Sequence, residues 1–378
     1  KAMKQIFIII ILFSLTACSQ QDKTAFDPPH DLKDGWSISK PEVAGFDRQM
    51  LEESIGNAST ENSKLDAIVI ARDGKLIVDQ YFNGYAPDKL HKIWSITKSV
   101  TGTALGIAVD KKLLAAEDSI YKHLGPYRPY LDSAARSITI EHLITMTSGI
   151  EWVSLGGPGT SGFELPYSKD WIKFILNQPH TNTPGEVYNY SDANTLLLAL
   201  IMKNASKQEV HQFSKQYLFE PLGITHYEWD TQSEFWTKTA GNELPGAKIP
   251  AEIEYKKPFA DLTNTASGLR MRPRDLCKFG QLYLNNGKWN QQQVVNKEWI
   301  EASTKPHFGN KDYGYHWRLM SSQDKACYYA TGFGLQRIFV FPTLELVVVL
   351  TQHHYETMPE GDKLTKKLLD DLLLAIKE

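Results

Sequence analysis

A serine and a lysine spaced three apart mark the stretch of this sequence whose residue types suit nucleophilic chemistry. Ser95 and Lys98 form a Ser-x-x-Lys motif, followed at 101–108 by small and apolar residues without proline. This composition predicts a buried helix that begins at the serine, and the spacing places both side chains on one helical face. Because the serine then lies near the positive helix end and the lysine is desolvated, the pair is suited to activating a hydroxyl nucleophile.

The motif alone is a weak signal, because the sequence contains four copies of it. The other three begin at Ser37, Ser119 and Ser322. The first runs into Pro41, which disfavours helix, and the other two lie in polar surroundings, so we interpret all three as surface loops or caps. Only the copy at Ser95 lies in an apolar setting. Burying a hydroxyl and an ammonium there costs free energy, so their presence indicates a function or specific partners. The alternative is a helix-capping serine beside a lysine whose ammonium reaches water.

The first residues have the pattern of a targeting segment. Two lysines precede an apolar run at 6–15 that is too short to span a bilayer, and the run ends in Leu-Thr-Ala-Cys at Cys18. This ending resembles a bacterial lipobox, in which the cysteine is lipidated and becomes the mature N-terminus. The alternative is an ordinary secretory signal with an incidental cysteine. We predict a signal peptide over 1–18, a tether over 19–35 and a lipid-anchored protein of the bacterial cell envelope, on a periplasmic or outer-surface face.

The composition narrows the class of partner. With 42% hydrophobic residues, the 378-residue chain can form a large core. Its formal net charge of −3 falls to −5 without the two lysines of the targeting segment, and the lack of polybasic runs argues against a nucleic-acid partner. Cys277 and Cys327 are too few for a disulfide framework, and a single bridge between them stays open. His353 and His354 lack metal-ligand spacing, so we expect no metal and no other cofactor.

The order of the elements predicts an α/β fold built from both ends of the chain. A hairpin is predicted at 65–81 around the turn pair Asp73-Gly74, with further strands at 327–331, 335–341 and 345–352. Helical patterns occur at 140–146, 195–203, 210–219, 275–285 and 363–377. We therefore predict one domain over 36–378, with an α/β lobe from about 36–94 and 262–378, an all-helical lobe from about 95–261, and a site in the cleft between them.

Six ordered motifs, spread from about residue 36 to the C-terminus, resemble the serine β-lactamase-related hydrolases. They are Ile93-Trp-Ser-Ile-Thr-Lys-Ser99, Glu141-His-Leu-Ile-Thr-Met-Thr-Ser-Gly149, Pro184-Gly-Glu-Val-Tyr-Asn-Tyr-Ser-Asp192, Pro221-Leu-Gly223, Gly268-Leu-Arg-Met-Arg-Pro-Arg-Asp-Leu276 and Ala330-Thr-Gly-Phe-Gly-Leu-Gln336. This superfamily contains class C β-lactamases, D-alanyl-D-alanine carboxypeptidases and many esterases and amide hydrolases. The resemblance implies a two-lobed β-lactamase-like fold, with an antiparallel sheet flanked by helices and an all-helical lobe.

The family's general base is the tyrosine of a Tyr-x-Asn motif, and the position after Pro-Gly identifies Tyr190, with Asp192 in place of the asparagine. An alternative register makes Ser191 a proton relay, but it leaves Ala193 at the asparagine position and fits less well. An ammonium ~4 Å away at an effective dielectric of ~20 favours a phenolate by ~4 kcal/mol. Because Asp192 attracts Lys98 and opposes a phenolate, the resemblance leaves both Tyr190 and Lys98 open as the base.

The motif at residue 330 resembles the Lys-Thr-Gly strand of β-lactamases, with Ala330 in place of the lysine. The resemblance implies an oxyanion hole formed by the backbone N–H groups of Ser95 and Phe333. It also implies four further cleft residues: Asp192, Thr331, Gly332 and Trp317. Loss of the lysine removes the expected partner of a substrate carboxylate. Three basic residues are left open as its replacement: His316, Arg337 and His353.

Together these observations predict a lipid-anchored serine hydrolase that forms an acyl-enzyme without a cofactor. Ser95 is the expected nucleophile, activated by Lys98 and Tyr190. Its expected partner is a small-molecule acyl substrate, an ester or an amide. Within the enzymes, a penicillin-binding D-alanyl-D-alanine carboxypeptidase or a β-lactamase is the alternative. A non-hydrolysing cell-envelope binding protein is the alternative from another class, and the sequence leaves the oligomeric state open.

Overall fold

The computed structural model describes residues 28–131, 133, 135–154, 156–240 and 261–377. The predicted signal peptide with Cys18 and most of the predicted tether lie outside the described residues. In the described ranges the strands, numbered in chain order, are β1 Ser37–Ile38, β2 Leu65–Arg72, β3 Lys75–Tyr81, β4 His91–Lys92, β5 Tyr227–Trp229, β6 Leu269–Met271, β7 Lys288–Trp289, β8 Gln292–Gln293, β9 Arg318–Ser322, β10 Lys325–Gly332, β11 Gln336–Phe341 and β12 Leu346–Gln352.

Helices connect and cover these strands. The α-helices in the described ranges are Arg48–Glu61, Ile96–Asp110, Ile120–His123, Ile140–Ile144, Ser161–Glu164, Trp171–Leu176, Asp192–Ser206, Val210–Ser214, Gln232–Glu234, Pro273–Leu284, Lys297–Ser303 and Met358–Leu374. Short 3-10 turns lie at Gly125–Tyr130, Ala135–Ser137, Leu165–Tyr167 and Pro342–Leu344, and π-helical turns at Lys215–Phe219 and Phe235–Ala240. Across the described residues, no helix combines the length and the apolar character needed to cross a membrane.

The main sheet has seven strands in the order β1-β3-β2-β12-β11-β10-β9. Its pairs are antiparallel except for β1 with β3, which are parallel, so the sheet is mixed rather than wholly antiparallel. The hairpin predicted at 65–81 is confirmed. A smaller sheet has the order β4-β6-β5, and β5 lies inside the stretch that was expected to be wholly helical.

Strand β2 shows why the main sheet is covered on both faces. Its side chains alternate between two cores: Val69 and Ala71 belong to the larger one, whereas Ile68 and Ile70 belong to the smaller one. Because successive residues of a strand point to opposite faces, a continuous apolar strand needs cover on both sides. The larger core includes the helix that follows Ser95, and the smaller one includes the helix Met358–Leu374.

The helix Ile96–Asp110, here called the serine helix, is buried from Ile96 to Ala108. Its glycines let a neighbouring aromatic residue approach closely. A Cβ added at Gly106 would lie 2.4 Å from the ring of Trp299, and the Trp299 indole donates a hydrogen bond of 3.1 Å to the carbonyl of Gly102. This contact fixes the serine helix against the helix Lys297–Ser303, and with it the end that carries the candidate nucleophile.

The two described cysteines lie in different cores. Cys277 belongs to the larger core and Cys327 to the smaller one, on the other face of the sheet, and both are free thiols. The bridge that the sequence left open is therefore not formed.

Candidate active site

Ser95 stands directly before the first residue of the serine helix. Its φ of −66° and ψ of −7° are already helical, and its side chain makes no capping hydrogen bond, which argues against a capping role. The preceding Trp94 has a φ of +48°, a conformation that is costly for a bulky residue and is typical of functional sites. Edge-to-face packing holds the Trp94 ring against three others: Phe235, Phe333 and Tyr355.

Lys98 is 1% exposed, and three oxygen atoms surround its ammonium. Nζ lies 3.1 Å from Ser95 Oγ, 2.9 Å from the carbonyl oxygen of Ala266 and 2.6 Å from Asp192 Oδ1. Burial opposes the charge, but the interactions with Asp192 and Tyr190 outweigh it, so the pKa of Lys98 is raised. The ammonium therefore stays protonated at neutral pH. This argues against Lys98 as the base and against an ammonium that reaches bulk water.

Tyr190 reaches Lys98 from the loop before the helix Asp192–Ser206. The Lys98 ammonium lies 5.2 Å from the centroid of the Tyr190 ring. Ser191 is buried and caps this helix, with its hydroxyl accepting a 3.4 Å hydrogen bond from the backbone N–H of Asn194. Because the Ser191 hydroxyl is engaged as a cap, the alternative register that makes it a proton relay is not favoured.

The motif at 141–149 does not line the site; it holds in place the loop that carries Tyr190. The carbonyl of Met146 accepts a 2.8 Å hydrogen bond from the N–H of Asn189, the residue before Tyr190. Gly149 has a φ of +79°, and a Cβ added there would lie 2.1 Å from the carbonyl oxygen of Asn182. Only glycine therefore permits this approach of the two chain segments.

Strand β10 ends beside the candidate nucleophile. A Cβ added at Gly332 would lie 2.2 Å from the carbonyl oxygen of Ile93, so a glycine is required where the strand meets the segment before Ser95. Within the described residues, neither the N–H of Ser95 nor that of Phe333 donates to a protein acceptor. Both groups are therefore available to an oxyanion, as the oxyanion-hole prediction requires.

Two residues predicted to line the cleft lie elsewhere, and those predictions are wrong. Thr331 alternates with Gly332 along β10, so its side chain points to the opposite face of the sheet, where Arg337 donates to its hydroxyl. Trp317 is fully buried, with its ring 4.4 Å from that of Tyr283. A run of aromatic residues does not distinguish a cleft from a core, whereas the strand register does.

None of the three basic residues left open as replacements for the missing lysine is available to bind a substrate carboxylate. Arg337 pairs with Asp362 at 2.9 Å, and His353 pairs with the buried Asp66 at 2.9 Å. His316 is buried, and desolvation together with the charge of the nearby ammonium lowers its pKa to about 3. It is therefore neutral at physiological pH.

A different cation, which the sequence analysis missed, lies against Tyr190. Arg318 is the first residue of β9, and its guanidinium carbon lies 5.5 Å from the centroid of the Tyr190 ring and 5.9 Å from that of Tyr313. An antiparallel bridge between Tyr313 and Arg318 brings these two side chains together. No local motif surrounds this arginine, because its position depends on where an edge strand meets a distant loop.

Three features meet on one face of the mixed sheet: the serine helix, the loop that carries Tyr190, and strand β10, which ends at Gly332. Together they define the β-lactamase-like class of serine hydrolases. The sequence profile named Beta-lactamase matches residues 61–372, and the chain belongs to this family. The match confirms the predicted fold class.

Relatives with known sequence or structure agree with this assignment. Protein flp of Staphylococcus aureus (strain COL) is 28% identical over 218 residues, 54% of this chain and 42% of flp, so the match spans less than half of that relative. EstCE1, a hydrolase with promiscuous acyltransferase activity, has a TM-score of 0.67 at 14% identity, over 86% of this chain and 98% of EstCE1. The octameric penicillin-binding protein homologue of Pyrococcus abyssi has a TM-score of 0.61 at 21% identity, over 85% of this chain and 78% of the homologue. At these identities the structural likeness shows the fold.

Proposed function

We propose that this protein hydrolyses small ester or amide substrates through an acyl-enzyme on Ser95, without a cofactor. The observation that carries the proposal is the buried ammonium of Lys98, held 3.1 Å from Ser95 Oγ and 2.6 Å from Asp192 Oδ1. Burying an ammonium beside a hydroxyl is costly unless the charge is used or fully paired. A positive charge in this position stabilises the negative charge that develops on Ser95 Oγ as it attacks a substrate carbonyl.

The proposed reaction has two acyl-transfer steps. Ser95 Oγ attacks the substrate carbonyl carbon while its proton passes to the Tyr190 oxygen, and the carbonyl oxygen becomes an oxyanion held by the N–H groups of Ser95 and Phe333. The carbonyl re-forms, the bond to the leaving group breaks, and the leaving group takes the proton from Tyr190. A water molecule then repeats the sequence on the acyl-enzyme and releases the carboxylic acid.

Covalent labelling of Ser95 tests the proposal. We expect an alkyl fluorophosphonate probe to add one phosphonyl group to the purified protein, and peptide mass spectrometry to place it on Ser95. Heat-unfolded protein serves as the control for non-specific serine modification. Absence of the adduct, or labelling at other serines only, would contradict the acyl-enzyme. The non-hydrolysing envelope-binding alternative would then be favoured.

Ala330 is proposed to direct the enzyme to uncharged acyl substrates. This residue is 2% exposed on the face of β10 that packs towards the serine helix, where it offers no charge to a substrate carboxylate. A charge-assisted contact is worth about 1.5–3 kcal/mol, or roughly 10- to 150-fold in rate. We therefore expect kcat/KM for nitrophenyl acetate or butyrate to exceed that for a chromogenic cephalosporin.

The variant Ala330→Lys should raise the rate with the cephalosporin relative to the ester, and Ala330→Met controls for side-chain length. A preference of the unmodified enzyme for the cephalosporin would instead support the carboxypeptidase or β-lactamase alternative.

The membrane anchor is a separate proposal that rests on the sequence pattern ending at Cys18. We expect Cys18→Ala to leave the precursor unprocessed or to release the protein into the soluble fraction, because a thioether-linked lipid is then absent. Membrane fractionation and intact-mass measurement of the bacterial protein check this expectation. Unchanged size and unchanged partitioning of the variant would refute lipidation at this residue.

A further inference from the structure

The charges around Tyr190 do not favour a phenolate through Lys98 alone. Asp192 lies 2.6 Å from the Lys98 ammonium and, at 31% side-chain exposure, is only partly screened by water. The two opposite charges therefore form a pair whose field at Tyr190 largely cancels. A base that must carry negative charge during catalysis needs a further positive group nearby.

Among the described residues, Arg318 is a positive group that contacts aromatic rings and pairs with no carboxylate. Its guanidinium lies 5.5 Å from the centroid of the Tyr190 ring. In the described part of the chain, no carboxylate lies within ion-pair distance of Arg318 and no hydrogen bond engages its side chain. Burial opposes this charge, but the surrounding phenol groups, with Tyr188 first, raise the pKa of Arg318 and keep it charged throughout the working range.

Charged and titratable groups face Tyr190 from several helices, strands and loops. They are Lys98 from the serine helix, Asp192 from the helix after Tyr190, Tyr188 from the same loop, Tyr313 from the segment before β9 and Arg318 from β9. His316 lies close enough to the Lys98 ammonium to be affected by its charge, and it is neutral. One positive charge remains after Lys98 and Asp192 are paired, and it belongs to Arg318.

We propose that Arg318 is a positioning residue that supplies the net positive charge needed to stabilise a phenolate on Tyr190. The inference rests on the proposed function, because it takes Tyr190 as the base for Ser95. In this arrangement Asp192 holds the Lys98 ammonium against Ser95, and Arg318 replaces the electrostatic contribution that this pairing removes from Tyr190. Arg318 does not contact the reacting atoms; it acts through the tyrosine.

The test measures how fast a neutral alkyl fluorophosphonate modifies Ser95 as a function of pH, so it requires no knowledge of the natural substrate. We compare the unmodified protein with Arg318→Gln, with the conservative variant Arg318→Lys, and with the double variant Asp192→Asn/Arg318→Gln. At low pH the modification rate should rise with pH as Tyr190 loses its proton, and we call this rising part of the curve the acid limb. In Arg318→Gln the loss of a unit positive charge near the Tyr190 ring should move the acid limb to higher pH by about one unit. The rate on the high-pH plateau should be largely retained.

The two other variants test whether the net charge near Tyr190 sets the position of the acid limb. Arg318→Lys should keep the acid limb close to that of the unmodified protein, because the charge is preserved. The double variant should return the limb towards the unmodified position, because removal of the Asp192 charge frees the field of Lys98. Each variant is checked for an unchanged melting temperature.

Four outcomes would overturn the inference. An unmoved limb in Arg318→Gln, or an equal loss of rate at every pH, would assign the arginine no role or only a structural one. A loss confined to an anionic ester such as a nitrophenyl hemisuccinate, with the neutral probe unaffected, would make Arg318 a substrate-binding residue. These three results leave the acyl-enzyme intact, whereas a complete lack of labelling of the unmodified protein at Ser95 would overturn the proposed function as well.

Discussion

Replacement of Ser95 by alanine is expected to lower kcat by at least about 10⁴-fold while leaving the fold unchanged, because the Ser95 hydroxyl is the proposed nucleophile and lies 3.1 Å from the buried Lys98 ammonium. The Ser95 side chain makes no capping hydrogen bond. Lys98 also keeps its contacts with Ala266 and Asp192 when the hydroxyl is removed. We therefore expect the free energy of unfolding to change by no more than about 0.5 kcal/mol. Steady-state hydrolysis of nitrophenyl butyrate and urea unfolding measure the two effects.

Another copy of the motif provides the matched control. Ser119 also begins a Ser-x-x-Lys sequence, but it caps the helix Ile120–His123 and accepts a 3.3 Å hydrogen bond from the N–H of Tyr121. Ser119→Ala should cost about 1 kcal/mol of stability through the lost cap and leave the activity intact. The opposite pattern, with activity retained in Ser95→Ala, would remove Ser95 from the mechanism.

Replacement of Lys98 by methionine is expected to lower kcat/KM by about 10³-fold, because the negative charge that develops on Ser95 Oγ loses a neighbouring unit positive charge. Such a charge is worth about 4 kcal/mol at ~4 Å and an effective dielectric of ~20. Methionine is an unbranched apolar side chain of similar length, so we expect it to occupy the same buried space and to retain the packing of the serine helix. The variant also leaves Asp192 without its cation. Because Asp192 is 31% exposed, we expect a stability loss of about 1–3 kcal/mol, below that of a fully buried broken pair.

A double variant separates the two consequences of losing Lys98. Lys98→Met/Asp192→Asn removes the unpaired carboxylate, so the unfolding free energy should recover while kcat/KM stays low. Calorimetry and the ester assay on the same preparations report the two quantities. Recovery of activity together with stability would show that the ammonium acts only as the partner of Asp192, and the proposed chemical role of Lys98 would then be wrong.

Locally encoded features were predictable from the sequence. The turn pair Asp73-Gly74 and the flanking apolar runs gave both strands of the hairpin, Leu65–Arg72 and Lys75–Tyr81, with their observed bounds. The apolar, proline-free run after Ser95 gave the buried serine helix in the same way. In each case the deciding interactions lie within a few residues of one another, so they are visible in the sequence pattern.

Features set by long-range register were not predictable. Trp317 and Arg318 are adjacent in the sequence, yet the first is fully buried and the second lies beside the Tyr190 ring. Thr331 fits the family motif, but the alternation along β10 turns its side chain to the opposite face. These placements depend on how β9 and β10 pair and on where distant loops meet the sheet, and no short stretch of sequence specifies them.

The position of β2 in the main sheet also fixes the order in which the protein can be assembled. Its neighbours are β3, which follows immediately, and β12, which pairs through residues 346–352, far along the sequence from the hairpin. During synthesis the hairpin at 65–81 therefore has one apolar edge uncovered until residues 346–352 have emerged. An exposed strand edge is a template for pairing with other chains. We expect nascent chains that stop before residue 346 to aggregate and to depend on chaperones, and the site around Ser95 to form only after residues 346–352 have been synthesised.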